Sequence, residues 1–164
     1  MAISITSIGT VVSYAVEETK GAGKPETGYK RIPGILEIPD MNPTPETAET
    51  TSMDNTEYRT YVPLLKDLGG ALAFTVRLSQ ELYDLWEGTG GIMENWKTAK
   101  SDGRRMFLCI DIAGLNKSCY LSVEPASFGM PAASTNSVVD HTIYFTPLGE
   151  PEWGEDPKGD YNKE

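Results

Sequence analysis

Apolar and polar positions alternate most cleanly in ALAFTVRL, where Leu72, Phe74, Val76 and Leu78 share one face and Ala71, Ala73, Thr75 and Arg77 the other. This period of two predicts a strand. The period changes directly afterwards. Ser79 is placed to cap a helix running to Glu87, Glu81 sits in its first turn, Leu82, Leu85 and Trp86 recur at helical spacing, and Gly88 stops it. A weaker helical segment, IMENWKTAK, sets Ile92 and Trp96 one turn apart and ends at SDGR, residues 101–104.

RMFLCIDI (105–112) and KSCYLSVE (117–124) read as two strands joined by the turn AGLN. Centred on Gly114, this hairpin would set Phe107 opposite Leu121, Cys109 opposite Cys119 and Asp111 opposite Lys117, an apolar pair, a thiol pair and an ion pair on one face. NSVVDHTIYFT (136–146) reads as the last strand, with Val139, His141, Ile143 and Phe145 on one side and Val138, Asp140, Thr142 and Tyr144 on the other. Several strands carry bulk on both faces. Either a neighbouring molecule or helix cover from Trp86 and Trp96 satisfies the second face.

The N-terminal part begins β-like in ISITSIGTVVSYAV and then loses apolar character in EETKGAGKPETGYKR, which reads as a loop. IPGILEI (32–38) is a short β-prone stretch whose flanking Pro33 and Pro39 favour an edge strand. From Ile38 to Pro63 the chain is then dominated by Pro, Thr, Glu, Asp and Asn. A polar loop of this length, 39–62, is functional or disordered. Tyr58, Tyr61 and Val62 give the returning chain apolar anchors, which favours an arm that is mobile in the free subunit and orders against a neighbour. The fold class that results is mainly β: two packed sheets, as a sandwich or barrel, with one flanking α-helix and long extended loops. One domain is expected over 1–148, followed by an acidic tail over 149–164 that is extended or disordered unless a partner holds it.

Composition narrows the functions. The chain has 164 residues and a formal net charge of −10, which argues against adhesion to nucleic acid, since that affinity comes from Lys and Arg displacing counterions. No segment resembles a secretory leader or a run of about 18 apolar residues, so a soluble protein made in the cytosol is expected, with Cys109 and Cys119 as buried thiols rather than a disulfide.

Candidate chemistry is sparse. His141 is the one histidine, mid-strand, with no second His or Cys cluster to make a metal site. GAGKP has proline where a phosphate loop needs Ser or Thr, and neither DMNPTPE nor DPKGDYN has the spacing of a calcium loop. Nothing arranges Ser, Asp and His for acyl transfer. No enzyme, cofactor or metal site is expected.

The order RIPGILEIP, TTSMDNTEYRTYVPLLKDLGG, ALAFTVRLSQELYDLWE and VVDHTIYFTPLGEPEW, spanning about residues 30–153, resembles the major tail tube protein of long-tailed, siphovirus-type bacteriophages. Leu64 follows Pro63 where relatives often carry glycine, and the acidic tail after Trp153 matches nothing in the pattern. The resemblance implies a structural subunit that self-assembles into stacked hexameric rings, a hollow tube in the virion through which DNA is delivered. It also implies tape-measure, tail-tip and tail-terminator proteins as partners, assembly in the host cytoplasm and no membrane. Inter-subunit contacts are then expected at Ile35, Leu36 and Ile38 of the short strand, at Thr51, Met53 and Asp54 of the polar stretch, and at Tyr58, Tyr61 and Val62 where it returns. Ser118, Ser122 and Glu124 are the lumen-facing candidates, in a carboxylate-rich bore that lets DNA pass without sticking. The alternative is a monomeric β-sandwich binding module for a carbohydrate or protein ligand, with the long loop as its recognition surface.

Overall fold

Leu72, Phe74 and Val76 point into the core from one strand while the residues between them do not, as the alternation requires. A computed structural model describes residues 4–5, 8–67 and 70–157. The strands are β1 (Val11–Val16), β2 (Lys30–Arg31), β3 (Ile35–Glu37), β4 (Thr44–Glu49), β5 (Tyr61–Asp67), β6 (Leu72–Arg77), β7 (Met106–Asp111), β8 (Ser118–Pro125), β9 (Asp140–Pro147) and β10 (Glu152–Gly154). Helices α1 (Gln80–Glu87) and α2 (Ile92–Ser101) lie between β6 and β7. The mainly β architecture with two sheets and a flanking helix is the expected one, and the weaker helical segment is also present as α2.

The larger sheet runs β2-β1-β7-β8-β9-β6-β3, with β10 added on β8. It curls back on itself. Ile32 N–H still donates to Val12 O at 2.8 Å while Gly34 O already accepts from Arg77 N–H at 2.8 Å, so three residues carry the chain from one end of the sheet to the other. Gly34 allows this corner: its φ is +72°, and a Cβ there would sit 3.2 Å from Arg77 O. Helices α1 and α2 fill the open side of the curl, with Leu82, Trp86, Ile92, Trp96 and Ala99 joining Tyr14, Phe74, Leu108, Leu121 and Phe145 in one core. Trp86 stacks 5.4 Å from Phe145, and its indole N–H donates to Ala126 O at 3.1 Å. Ser79 caps α1 by accepting from Leu82 N–H at 3.2 Å.

The β7–β8 hairpin differs from expectation by one residue. Cys109 pairs with Tyr120, Ile110 with Cys119, Leu108 with Leu121 and Phe107 with Ser122. Leu115 N–H donates to Ile112 O across a turn with Gly114 at φ +96°, and residues 116–117 lie between this turn and β8, so the pairing axis falls after Gly114 rather than on it. A slip of one residue turns every side chain to the opposite face. Cys119 therefore points into the main core, and Cys109 into a second cluster with Ala15, Tyr29 and Tyr120. On opposite faces, the two thiols are out of bonding range.

That second cluster explains the bulk on both faces of β7. Neither the helices, which pack on the core side, nor a neighbour is needed to cover it. The loop after β1 supplies Tyr29, whose hydroxyl donates to Pro25 O at 2.9 Å, and the end of the chain supplies β10. The first half of the acidic tail is thus a strap over its own subunit: Ser118 Oγ donates to Asp156 Oδ1 at 2.7 Å, Tyr120 donates to Glu155 O, and Lys24 lies 4.3 Å from the centre of the Tyr120 ring. The remainder of the tail, 158–164, lies outside the described residues.

Candidate assembly surfaces

The polar stretch is not a structureless loop. Strands β4 and β5 form a separate antiparallel ribbon, in register at Ala48–Val62 and Glu49–Tyr61, with an irregularity between Pro45 and Thr47. Thr residues hold it together beyond the strands: Thr50 N–H donates to Thr60 O at 2.8 Å, and Thr51 Oγ1 accepts from Thr60 N–H at 2.9 Å. At the tip, Asn55 N–H donates to Ser52 O, and Asn55 Oδ1 accepts from Tyr58 N–H at 3.1 Å. Pro, Thr and Asn therefore build a hairpin by local hydrogen bonds, without apolar burial. Hydropathy alternation could not reveal it, because the ribbon has no buried face.

This ribbon is an arm that exposes apolar surface. Met53 at its tip is 100% exposed, Leu65 87% and Tyr58 76%, with Tyr61, Val62 and Leu64 about half exposed. Lone exposed apolar residues are ordinary, but six of them fall on this one ribbon. Leu64 and Leu65 join the exposed residues expected from the sequence, and the run YVPLL carries their signal.

The remaining candidate residues separate by position. Ile35 and Ile38 are half-buried and pack against the main core, whereas Leu36 on the same short strand is exposed. Thr51 is engaged in the ribbon's own hydrogen bonding, and Asp54 is exposed beside Met53. An apolar cavity of about 440 Å³ opens at the root of the arm, lined by Ile38, Met41, Ile110, Ile112, Cys119 and Trp153 among others.

Of the three lumen candidates, Ser118 and Ser122 are buried within the subunit, Ser118 under the strap. Glu124 is half-buried and accepts from Lys100 Nζ at 3.2 Å. Glu124 pairs with Thr146 where β8 meets β9, on the side away from Val123 and Phe145, and its ion pair ties it to α2.

Burial also sets the chemistry of the ionisable groups. Glu17 is fully buried. Burial raises its pKa, but hydrogen bonds from Arg105 N–H at 2.8 Å, from the Arg105 guanidinium and from Gly23 N–H at 2.8 Å outweigh this and leave it below the ordinary carboxylate value. Burial pushes the Cys109 thiol up to about 11, which keeps it protonated and unreactive. It lowers the pKa of His141, whose ring lies 4.1 Å from that of Phe128. Among the described residues, no group of three His, Cys, Asp or Glu side chains is placed to hold a metal ion, and no helix is long and apolar enough to cross a membrane.

No protein-family model matches the chain, and no curated protein matches it in sequence. Solved structures do match in fold. A chain of the baseplate of the anti-feeding prophage, determined with six-fold symmetry, superposes with a TM-score of 0.61 at 11% identity, over 94% of this chain and 98% of that one. A chain from the tail of an empty GTA particle, determined with C6 symmetry, gives 0.57 at 12% identity, over 92% of this chain and 99% of that one. This chain therefore has a phage-tail-related fold, of the kind found in oligomeric tail and baseplate assemblies.

Proposed function

We propose that the protein is a structural subunit that assembles with copies of itself into stacked six-membered rings, forming a tail tube through which DNA is delivered. The observation that carries this reading is the arm. It is a hydrogen-bonded ribbon with an apolar surface that its own subunit leaves uncovered, attached to a fold shared with chains of six-fold tail and baseplate particles. A monomer gains nothing from exposing Met53, Tyr58 and Leu65, whereas an assembling subunit buries them on contact. The net charge of −10 suits a bore that DNA traverses without adhering, with Glu124 as the lumen candidate that retains exposed surface. Tape-measure, tip and terminator proteins are the partners such a tube requires, and the virion tail is its place.

The test is electron microscopy of the concentrated protein beside a variant in which residues 43–66 are replaced by a short Gly-Ser linker. Rings or tubes from the full chain and folded monomers from the variant are expected. Normal polymerisation of the variant would remove the arm from the interface, and a ligand-binding monomer at all concentrations would favour a recognition module instead.

A further inference from the structure

The arm and the rest of the chain differ in charge in a way that points to where the arm docks. From Ile38 to Lys66 the acidic residues Asp40, Glu46, Glu49, Asp54 and Glu57 outnumber Arg59 and Lys66, a net charge of −3. From Thr19 to Arg31, Lys20, Lys24, Lys30 and Arg31 outnumber Glu26, a net charge of +3 in a strongly acidic protein. Part of this charge is already used internally. Glu49 lies 3.9 Å from Arg59, and Lys24 sits over Tyr120. Asp54 and Glu57 at the arm's tip, and Lys20, Lys30 and Arg31, form no ion pair with another described residue.

Lys30 borders a concavity, whereas Arg31, opposite Ser13 on β2, faces the other side of the same edge. A groove of about 300 Å³ between α2 and the β1–β2 edge is lined by Tyr14, Val16, Lys30, Asn95, Thr98 and Arg104. Glu94 also lines it, but its carboxylate is held at the start of α2 by Gly90 N–H at 2.7 Å. Lys20 lies against Gly103 at the far end of α2. This groove belongs to the Val16 end of β1, whereas the arm's root gathers around Thr10 and Ile112 at the Val11 end. β1 is six residues long, so the two surfaces are separated by about 20 Å of strand. Two different surfaces at opposite ends make a head-to-tail contact, which propagates from copy to copy.

We infer that the groove between α2 and the β1–β2 edge receives the acidic arm tip of a second copy, with Lys30 and Lys20 facing Asp54 and Glu57 and Arg31 adding positive charge from the other side of the same edge. This rests on the self-assembly reading above and names the surface that the arm meets. Carboxylates of the tip enter between cations that lack a partner in their own subunit, and the apolar tip residues Met53 and Tyr58 follow.

Sedimentation velocity of the concentrated full chain at low and high salt tests it. Association of the wild type that weakens with salt is expected, together with at least a tenfold loss in K20E/K30E/R31E and in D54K/E57K. Mixing those two variants makes both contacts between unlike chains attractive, and the chain carrying all five substitutions restores attraction between like chains, so association is expected to return in both cases. The reversed residues are exposed, and circular dichroism confirms that each variant is folded. Wild-type association in K20E/K30E/R31E, or no recovery in the five-fold variant, overturns the inference. If the variant lacking 43–66 is monomeric in the same experiment, the self-assembly reading stands without it. If that variant also associates, the inference falls and self-assembly runs through another surface; if the wild type never associates, the reading falls with the inference.

Discussion

Cys109 and Cys119 occupy adjacent paired strands yet face opposite sides of the sheet, because Cys109 stands across from Tyr120 and Cys119 across from Ile110. Both thiols are free and buried. Oxidising the folded protein is therefore expected to produce no intramolecular crosslink, and a thiol reagent should label neither residue until denaturant is added. Fast labelling of either cysteine in native buffer would contradict the register.

Glu17 bridges Gly23 and Arg105 from inside the protein. Its pKa is depressed on folding, so the stability it contributes is full above the ordinary carboxylate value of 4.5 and is lost as pH falls through the lower folded value. Glu17→Gln, which keeps the shape but not the charge, is expected to cost about 2 kcal/mol at neutral pH and to flatten the acid limb of the stability curve, read by urea unfolding at several pH values.

His141 acts in a different window. Its pKa is lowered by burial, so the unfolded chain takes up this proton first, and stability falls as pH drops below the free value of 6.5 toward the folded one. The melting temperature of wild type should decline between pH 7 and pH 5, and His141→Leu should remove that part of the decline. An unchanged slope in the variant would show that another group titrates there.

The core and the arm should separate in a stability measurement. Trp86→Ala removes a fully buried ring from the meeting point of α1 and β9 and is expected to cost about 3–5 kcal/mol. Ser79→Ala should cost about 1 kcal/mol through the lost cap. Replacing residues 43–66 should leave the melting temperature nearly unchanged, because the ribbon pairs with itself and its side chains are exposed.

Strand β6, helix α1 and the inward face of β9 are legible from local pattern, since Leu72, Phe74 and Val76, then Leu82 and Trp86, then His141, Ile143 and Phe145 record which side meets the core. The edge position of β3 is legible from its prolines. The β7–β8 register is not, because an apolar pair and an ion pair can be written in either of two registers. The deciding quantity is the path of residues 112–117 together with what covers each face.

The sequence by itself determined the class of fold, the strongest elements and the presence of a polar excursion ending in aromatic residues. Tertiary structure alone decided that this excursion is a ribbon, that the tail straps its own subunit, and that Ser118 and Ser122 are buried while Glu124 is half-exposed. The reason is physical. Core-facing residues carry their environment in their hydrophobicity, whereas a ribbon held by local threonine and asparagine hydrogen bonds buries no face for hydropathy to record, and a strap held by Asp156 and Tyr120 depends on partners brought together only when the whole chain has folded.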